Sequence, residues 1–233
     1  MPRTPGASRK GGLTRERIVT EAVALADADG VAGLSMRRLA ERLGVEAMSL
    51  YHHVANKERL LDGMVDHIFG EIELPSPGEA WKAAMEIRAR SARSVLQQHG
   101  WAVPIMDSRA SGGPSTLRHH DSIIGCLRSA GFSVAMTAHA VSLIDSYVYG
   151  FVMQELALPF SDESDLAELV EDIFEHFPAE QYPHFAELAT HHVLQPGYTY
   201  AQEFDFGLAL ILDGIEAARR KERSRSSARN SAR

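Results

Sequence analysis

The sequence predicts an all-α protein in which a small N-terminal domain of three helices precedes a larger helical domain. Apolar residues recur at helical spacing along most of the chain, and glycine or proline breaks the pattern where one helix should end and the next begin. The chain has 233 residues, of which 45% are hydrophobic. This length and composition are sufficient for one small and one larger core.

Three helices open the chain. The first is expected over residues 14–29 and stops at Gly30, and it has an apolar side. Ser35 can cap the second helix, and Gly44 supplies the backbone freedom that ends it. Two helices joined at a glycine occur in many small helical proteins. The helices that flank this pair can bury a shared core with it, and they favour a helix-turn-helix.

The third helix presents several side chains outward, because Leu50, Tyr51 and Val54 define its inward side. In a helix-turn-helix, the second helix of the pair lies in the major groove of DNA. The outward side chains are therefore candidates for DNA contacts. They are Ala47, Met48, Ser49, His52 and His53.

A fourth helix follows, with Asn56 as its cap and an apolar stripe between Leu60 and Ile68. Two prolines and a glycine within residues 74–78 end it. These signals divide the chain into five parts. They are a flexible basic arm (1–12), the helix-turn-helix domain (13–57), a connecting helix (58–73), the larger domain (74–220) and a disordered Ser- and Arg-rich tail (221–233).

The larger domain is expected to be helical over about residues 79–99, 115–130, 133–158 and 201–220. The third of these helices has almost no charge between residues 134 and 152 except Asp145, and the last is apolar around much of its circumference. Such helices carry more apolar surface than their own neighbours can cover. We therefore expect a twofold dimer that pairs them in a four-helix bundle, with Leu212 at the interface.

Charge is distributed unevenly along the chain. Residues 1–57 contain 9 Lys and Arg against 6 Asp and Glu, residues 58–218 contain 8 against 24, and residues 219–233 contain 7 against 1. Positive charge is thus concentrated at the helix-turn-helix although the whole chain has a net charge of −7. Phosphate binding requires this arrangement.

Several classes of protein are disfavoured by the sequence. The single cysteine, Cys126, lies in an apolar run and is expected to be buried packing, which suits a reducing cytoplasm. The longest uncharged run, residues 129–144, is too short and too polar for a membrane span. The first twelve residues lack the apolar stretch of a signal peptide.

Over residues 13–68 the chain resembles the tetracycline repressor (TetR) family of bacterial transcription regulators, through the residues at 33–40, 43–45, 49–54 and 56–57. The resemblance implies that the outward side chains near Ser49 and His52 face base edges. It also implies phosphate contacts from Arg37, Tyr51 and Lys57. Because Ala47 and Met48 offer little hydrogen bonding, base readout would rest on Ser49, His52, methyl contacts and DNA shape.

A weaker resemblance continues through Trp81, Gly150 and residues 131–133, 206–207 and 212–214, and it implies a helical homodimer with an effector cavity. The family's drug repressors bind a magnesium chelate through a histidine just after the fifth helix. Here that stretch, residues 103–106, is Val-Pro-Ile-Met, so a small hydrophobic effector other than tetracycline is expected. Apolar residues with sparse polar groups suit a pocket, and equally a core. The candidates are Trp101, Met106, His120, Met136, His139, Tyr147, Phe151 and Glu155.

The sequence thus predicts a cytoplasmic homodimer that binds double-stranded operator DNA as a ligand-responsive regulator, acting as a repressor. One alternative is a DNA-binding regulator without a small-molecule effector. The other is a helical metal-dependent enzyme, but adjacent histidines such as those at 119–120 and 191–192 point about 100° apart on a helix. No nucleophile elbow, zinc-protease motif or phosphate loop occurs. No catalytic, metal or cofactor site and no membrane partner are expected.

Overall fold

The computed structural model describes residues 12–76, 78–106, 112–159 and 177–231, with side chains in the last range up to residue 225. The regular structure in these ranges is helical, and the chain divides into two compact units. Unit 1 comprises residues 1–72 and 98–119, and unit 2 comprises residues 73–97 and 120–233. The helices are α1 Arg15–Gly33, α2 Met36–Leu43, α3 Ala47–Tyr51, α4 Lys57–Glu71, α5 Trp81–Gln98, α6 Val103–Met106, α7 Pro114–Ser129, α8 Val134–Leu156, α9 Pro183–Leu188 and α10 Tyr200–Ser231.

The first helices of unit 1 have the caps and glycine turns that the sequence predicts for a helix-turn-helix. The Ser35 hydroxyl accepts a hydrogen bond from the Arg38 backbone N–H at 3.2 Å, and Gly44 has a φ of 69° at the end of α2. Gly30 has a φ of 71° and breaks α1, after which one more turn reaches Gly33. A side chain at either glycine would be strained in this left-handed conformation. The core of this region consists of Ile18, Ala22, Leu25, Leu39, Leu43, Leu50 and Val54.

The connecting helix α4 begins as the sequence predicts, because the Asn56 side chain accepts a hydrogen bond from the Arg59 backbone N–H at 2.9 Å. Further along α4, Asp66 accepts hydrogen bonds from the backbone N–H and the hydroxyl of Thr116, at 2.8 and 3.0 Å. The carboxylate therefore caps the first turn of α7 within unit 1. Gly113 must remain a glycine for this, since a Cβ there would collide with the Asp66 carboxyl group.

Unit 2 contains a buried charge pair between α5 and α8. Arg88 is 1% exposed, and its Nη1 lies 2.6 Å from Oδ1 of Asp145, the isolated charge in the interior of α8. The sequence indicated that α8 is buried but offered no partner for this carboxylate. The pair explains how one acidic residue is tolerated there, because a buried charge requires an opposite charge close to it.

Four expectations from the sequence need correction. The tail predicted to be disordered, residues 221–233, instead continues α10 as far as Ser231. Leu212 is 1% exposed within the protomer, so it belongs to the core of unit 2 and not to a surface. Cys126 is half-buried, although burial does raise the pKa of its thiol. Tyr51, which was expected on the inward side of the third helix, is instead 42% exposed.

Candidate nucleic-acid interface

Helix α3 packs against the rest of the domain through one buried side chain, and much of its surface is exposed to solvent. Leu50 is fully buried, whereas Met48, Tyr51, His52 and His53 are exposed. Ala47 and Ser49 are half-buried. The structure therefore places the predicted base-reading side chains on or beside one exposed helix, which is the arrangement that direct contact with base edges requires.

Helix α2 supplies basic side chains next to α3. Arg37 is the most accessible of them, with its side chain 87% exposed in an ion pair with Glu41 at 3.0 Å. Arg38 has a different function: it donates a hydrogen bond to the Gly33 carbonyl at 2.8 Å and pairs with Asp29, which fixes the turn after α1. Of these two arginines, Arg37 is thus better placed to exchange its partner for a phosphate.

Lys57, the first residue of α4, has a structural contact that the sequence did not reveal. Its Nζ donates a hydrogen bond to the Leu34 carbonyl at 2.8 Å, which ties the start of α4 to the segment before α2. An ammonium group has three donors, so this bond leaves two for a phosphate. The predicted phosphate contact is therefore compatible with the structure.

Three of the predicted effector residues come together in unit 2, where they pack against α10. The Phe151 ring stacks on Tyr200 with 4.8 Å between centroids, and the Tyr147 hydroxyl lies 3.0 Å from the carbonyls of Glu203 and Phe204. Burial raises the pKa of that hydroxyl, which favours its protonated, donating form. These side chains already have protein partners on α10.

Glu155 completes this cluster. Both of its carboxylate oxygens accept hydrogen bonds from Arg93, whose Nε lies 2.9 Å from Oε2. The Arg93 guanidinium also lies against the rings of Phe151 and Phe204, at 5.4 and 5.0 Å from their centroids. A paired carboxylate of this kind stabilises the packing of α5 on α8, and it is not free to meet a ligand without losing that pair.

The remaining predicted effector residues belong partly to unit 1 and partly to unit 2. Trp101 and Met106 belong to unit 1, where Trp101 donates a hydrogen bond from its indole N–H to Asp27 at 2.6 Å and Met106 is buried. In unit 2, His120 and Met136 are half-buried and His139 is exposed. A role of these residues in binding an effector stays a prediction.

Described residues of unit 2 line two clefts. The first, of about 500 Å³, lies between α7 and α8 and is almost wholly apolar. Its lining is Ile124, Arg128, Val134, Thr137, Ala138, Val141 and Ser142. The second, of about 600 Å³, has a more polar lining that includes Trp81, Cys126 and Arg219. None of the predicted effector residues lines either cleft.

The part of the chain that the structure describes offers neither a clustered metal site nor a membrane-spanning helix. No group of three or more His, Cys, Asp or Glu side chains there is arranged to hold a metal ion. Among the same residues, no helix has the length and apolar character needed to span a bilayer.

Comparison with known proteins gives matches over both parts of the chain. Residues 18–64 match the family described as bacterial regulatory proteins, tetR family, and residues 74–219 match the tetracyclin repressor-like C-terminal domain. The chain is 33% identical to the HTH-type transcriptional repressor DrrR1 of Streptomyces coeruleorubidus, over 96% of this chain and 85% of that protein. It is 30% identical to the class C tetracycline repressor protein of Escherichia coli, over 89% and 92% of the two chains.

A solved structure is also similar. The Streptomyces coelicolor TetR family protein ActR, crystallised in complex with actinorhodin, superposes with a TM-score of 0.74 at 28% identity. The match covers 90% of this chain and 98% of that one. The likeness extends over both units and not only over the helix-turn-helix.

Proposed function

Because this chain belongs to the TetR family of bacterial regulatory proteins, we propose that it is a transcriptional repressor that binds operator DNA and is released by a small hydrophobic molecule. The exposed face of α3, with the accessible cation of Arg37 on the neighbouring helix, is the observation that supports this function. An exposed helix beside positive charge is complementary to a major groove lined by phosphates. Repressors among the similar proteins support the direction of regulation.

The active species is a homodimer in the cytoplasm. One short recognition helix reads only a few base pairs, so useful specificity requires two half-sites and two copies of the protein. Helices α8 and α10 supply a surface for this, since large apolar side chains on both are exposed in the single protomer. They are Val134, Leu143, Met153, Leu156, Phe206 and Leu210.

Effector and operator binding are linked. A molecule that binds better to the form of the protein with weak DNA affinity lowers operator affinity, and DNA lowers effector affinity by the same factor, typically about 5 to 150-fold. The similar ActR was crystallised with actinorhodin, which makes that compound a suitable first probe. The apolar cleft between α7 and α8 is one place where such a molecule can be accommodated.

Selection of bound duplexes from a random library tests the DNA-binding function. We expect enrichment of an inverted repeat with two half-sites, and binding that weakens steeply as the salt concentration rises. Failure to enrich any sequence at low salt would contradict the proposal. Release of the selected duplex by actinorhodin or a related aromatic compound, measured by fluorescence anisotropy, tests the effector response separately.

A regulator without a small-molecule effector remains the second candidate. The contacts of Tyr147, Phe151 and Glu155 favour it, because these side chains already have protein partners within unit 2. The two candidates differ in one measurement. A repressor controlled only by a partner protein would bind the selected duplex but would not be released by any compound in a broad screen of aromatic and aliphatic molecules.

A further inference from the structure

Met48 is an exposed apolar side chain on α3. It is 71% exposed, and in residues 12–76, as far as they are described, the large hydrophobic side chains on the surface are Met48 and Tyr51. Covering an apolar side chain of this size removes apolar surface from water, which is favourable. The exposed face of α3 is the proposed site of contact with DNA, so a base edge is the surface available to cover Met48.

The chemistry of the side chain restricts which base that is. A thioether donates no hydrogen bond and accepts only weakly, and its neighbour Ala47 has no polar side-chain atom. Neither residue can read the donors and acceptors of guanine, adenine or cytosine. Thymine alone carries an apolar group, its 5-methyl, in the major groove. We infer that Met48 determines sequence specificity by packing against a thymine 5-methyl group in each half-site.

The neighbouring residues are consistent with this contact. Ser49 is half-buried and His52 is exposed, so the polar readout they can provide follows Met48 along α3 and at its C-terminal end. The methionine side chain is unbranched and polarizable, and it adapts its rotamers to the surface it meets. It can therefore follow a methyl group without requiring the exact geometry of a bidentate hydrogen bond.

Replacing thymine by deoxyuridine tests the inference, because this change removes only the methyl group. The inference rests on the proposed function, so the operator is first selected from the random library. We expect deoxyuridine at one position of each half-site to weaken binding about fourfold per half-site, the value of burying one such carbon at about 0.8 kcal/mol. Met48→Ala should bind the thymine duplex more weakly and should not distinguish it from the deoxyuridine duplex.

Two controls separate this contact from other causes. Met48→Leu retains an apolar side chain of similar volume and should keep most of the sensitivity to the methyl group. Leu117→Ala truncates an exposed leucine on α7 and should leave that sensitivity unchanged.

Two results would overturn the inference while leaving the proposed function intact. One is a wild-type protein that binds the selected site equally well with deoxyuridine at every thymine position. The other is Met48→Ala retaining the full preference for thymine. Failure of the wild-type protein to select any DNA would overturn the inference and the proposed function together.

Discussion

Charged side chains of this protein differ in their surroundings. Some form shielded ion pairs within the protein, and others are exposed and accessible to a binding partner such as DNA. Glu216 accepts hydrogen bonds from Arg219 and Arg220, at 2.7 to 3.0 Å, and is mostly shielded from solvent. Arg37 has only an exposed pair with Glu41, one helical turn away. The first arrangement stabilises the fold, whereas an exposed pair of the second kind contributes little to stability and leaves the cation available.

Glu216 gives a prediction about pH. Hydrogen bonds from Arg219, joined by those from Arg220, lower the pKa of this carboxyl group from 4.5 to about 2. Its contribution is therefore fully present above pH 4.5 and is lost as the pH falls towards 2. In urea denaturation, Glu216→Gln should be less stable than wild type at pH 7, and the difference should shrink between pH 4.5 and 3. A difference that stays constant over this range would contradict the assignment.

Arg37 gives a prediction about phosphate contact. Because its side chain is 87% exposed, Arg37→Ala should leave the stability of the protein unchanged. It should weaken binding to every duplex, and the slope of log affinity against log salt should fall by about one. Arg90→Ala, which removes the same charge from unit 2, is the control and should not change the slope. Equal slopes for wild type and Arg37→Ala would show that Arg37 does not contact DNA.

At the scale of the helices, local signals in the sequence predicted most boundaries correctly. Ser35 and Asn56 both cap the helices they were expected to cap, and Gly30 and Gly44 have the positive φ that breaks or ends a helix. Each signal depends on residues within one turn, so it can be recognised without knowing the fold.

Contacts between distant helices could not be predicted in this way. The pairs Arg88–Asp145 and Arg93–Glu155 join α5 to α8, and no spacing rule relates their positions in the sequence. The same limit applies to Tyr147 and Phe151. Aromatic side chains suit a pocket or a core equally, and the sequence could not show that both rings contact α10.

Gly207 gives a test of the packing between α8 and α10. A Cβ at this position would collide with the hydroxyl and ring of Tyr147. Alanine usually stabilises the interior of a helix by about 0.5–1 kcal/mol relative to glycine. Gly207→Ala should instead destabilise the protein in urea denaturation. Gly125→Ala on α7, where nothing lies within 4 Å of the new Cβ, should show the ordinary gain. If both variants gained stability, the close approach of Tyr147 would be refuted.

His99 links two helices of unit 1. Its Nδ1 lies 2.8 Å from Asp27 on α1, and its Nε2 lies 3.2 Å from Glu71 at the end of α4. His99→Leu leaves both carboxylates without this partner and should lower the free energy of unfolding by about 1–3 kcal/mol. His184→Leu removes a fully exposed histidine and should have little effect. If His99→Leu and His184→Leu lowered the free energy of unfolding by similar amounts, measured by denaturation at equal protein concentration, this would argue against the link.

At the scale of the whole molecule, the distribution of exposed apolar surface indicates where the proposed dimer would form. Leu212 was expected at the interface, but it is 1% exposed and packs within its own protomer, whereas Leu210 on the same helix is 58% exposed. Periodicity identified α10 as apolar on several sides but could not show which side the protomer covers itself. The side that remains uncovered is the one available to a second copy.

Leu210→Asp should therefore separate the dimer without unfolding the protomer. A carboxylate placed at this position would lose its water in the proposed dimer, which costs several kcal/mol, but it stays hydrated in the monomer. We expect sedimentation to show a folded monomer that no longer binds a duplex with two half-sites at concentrations where wild type is saturated. Leu117→Asp, at a leucine on α7 that is 64% exposed, is the matched control and should remain dimeric. Leu212→Asp should instead lower the free energy of unfolding, because it buries the charge in both states. If Leu210→Asp sediments as the wild-type dimer, the interface lies on a surface other than this side of α10.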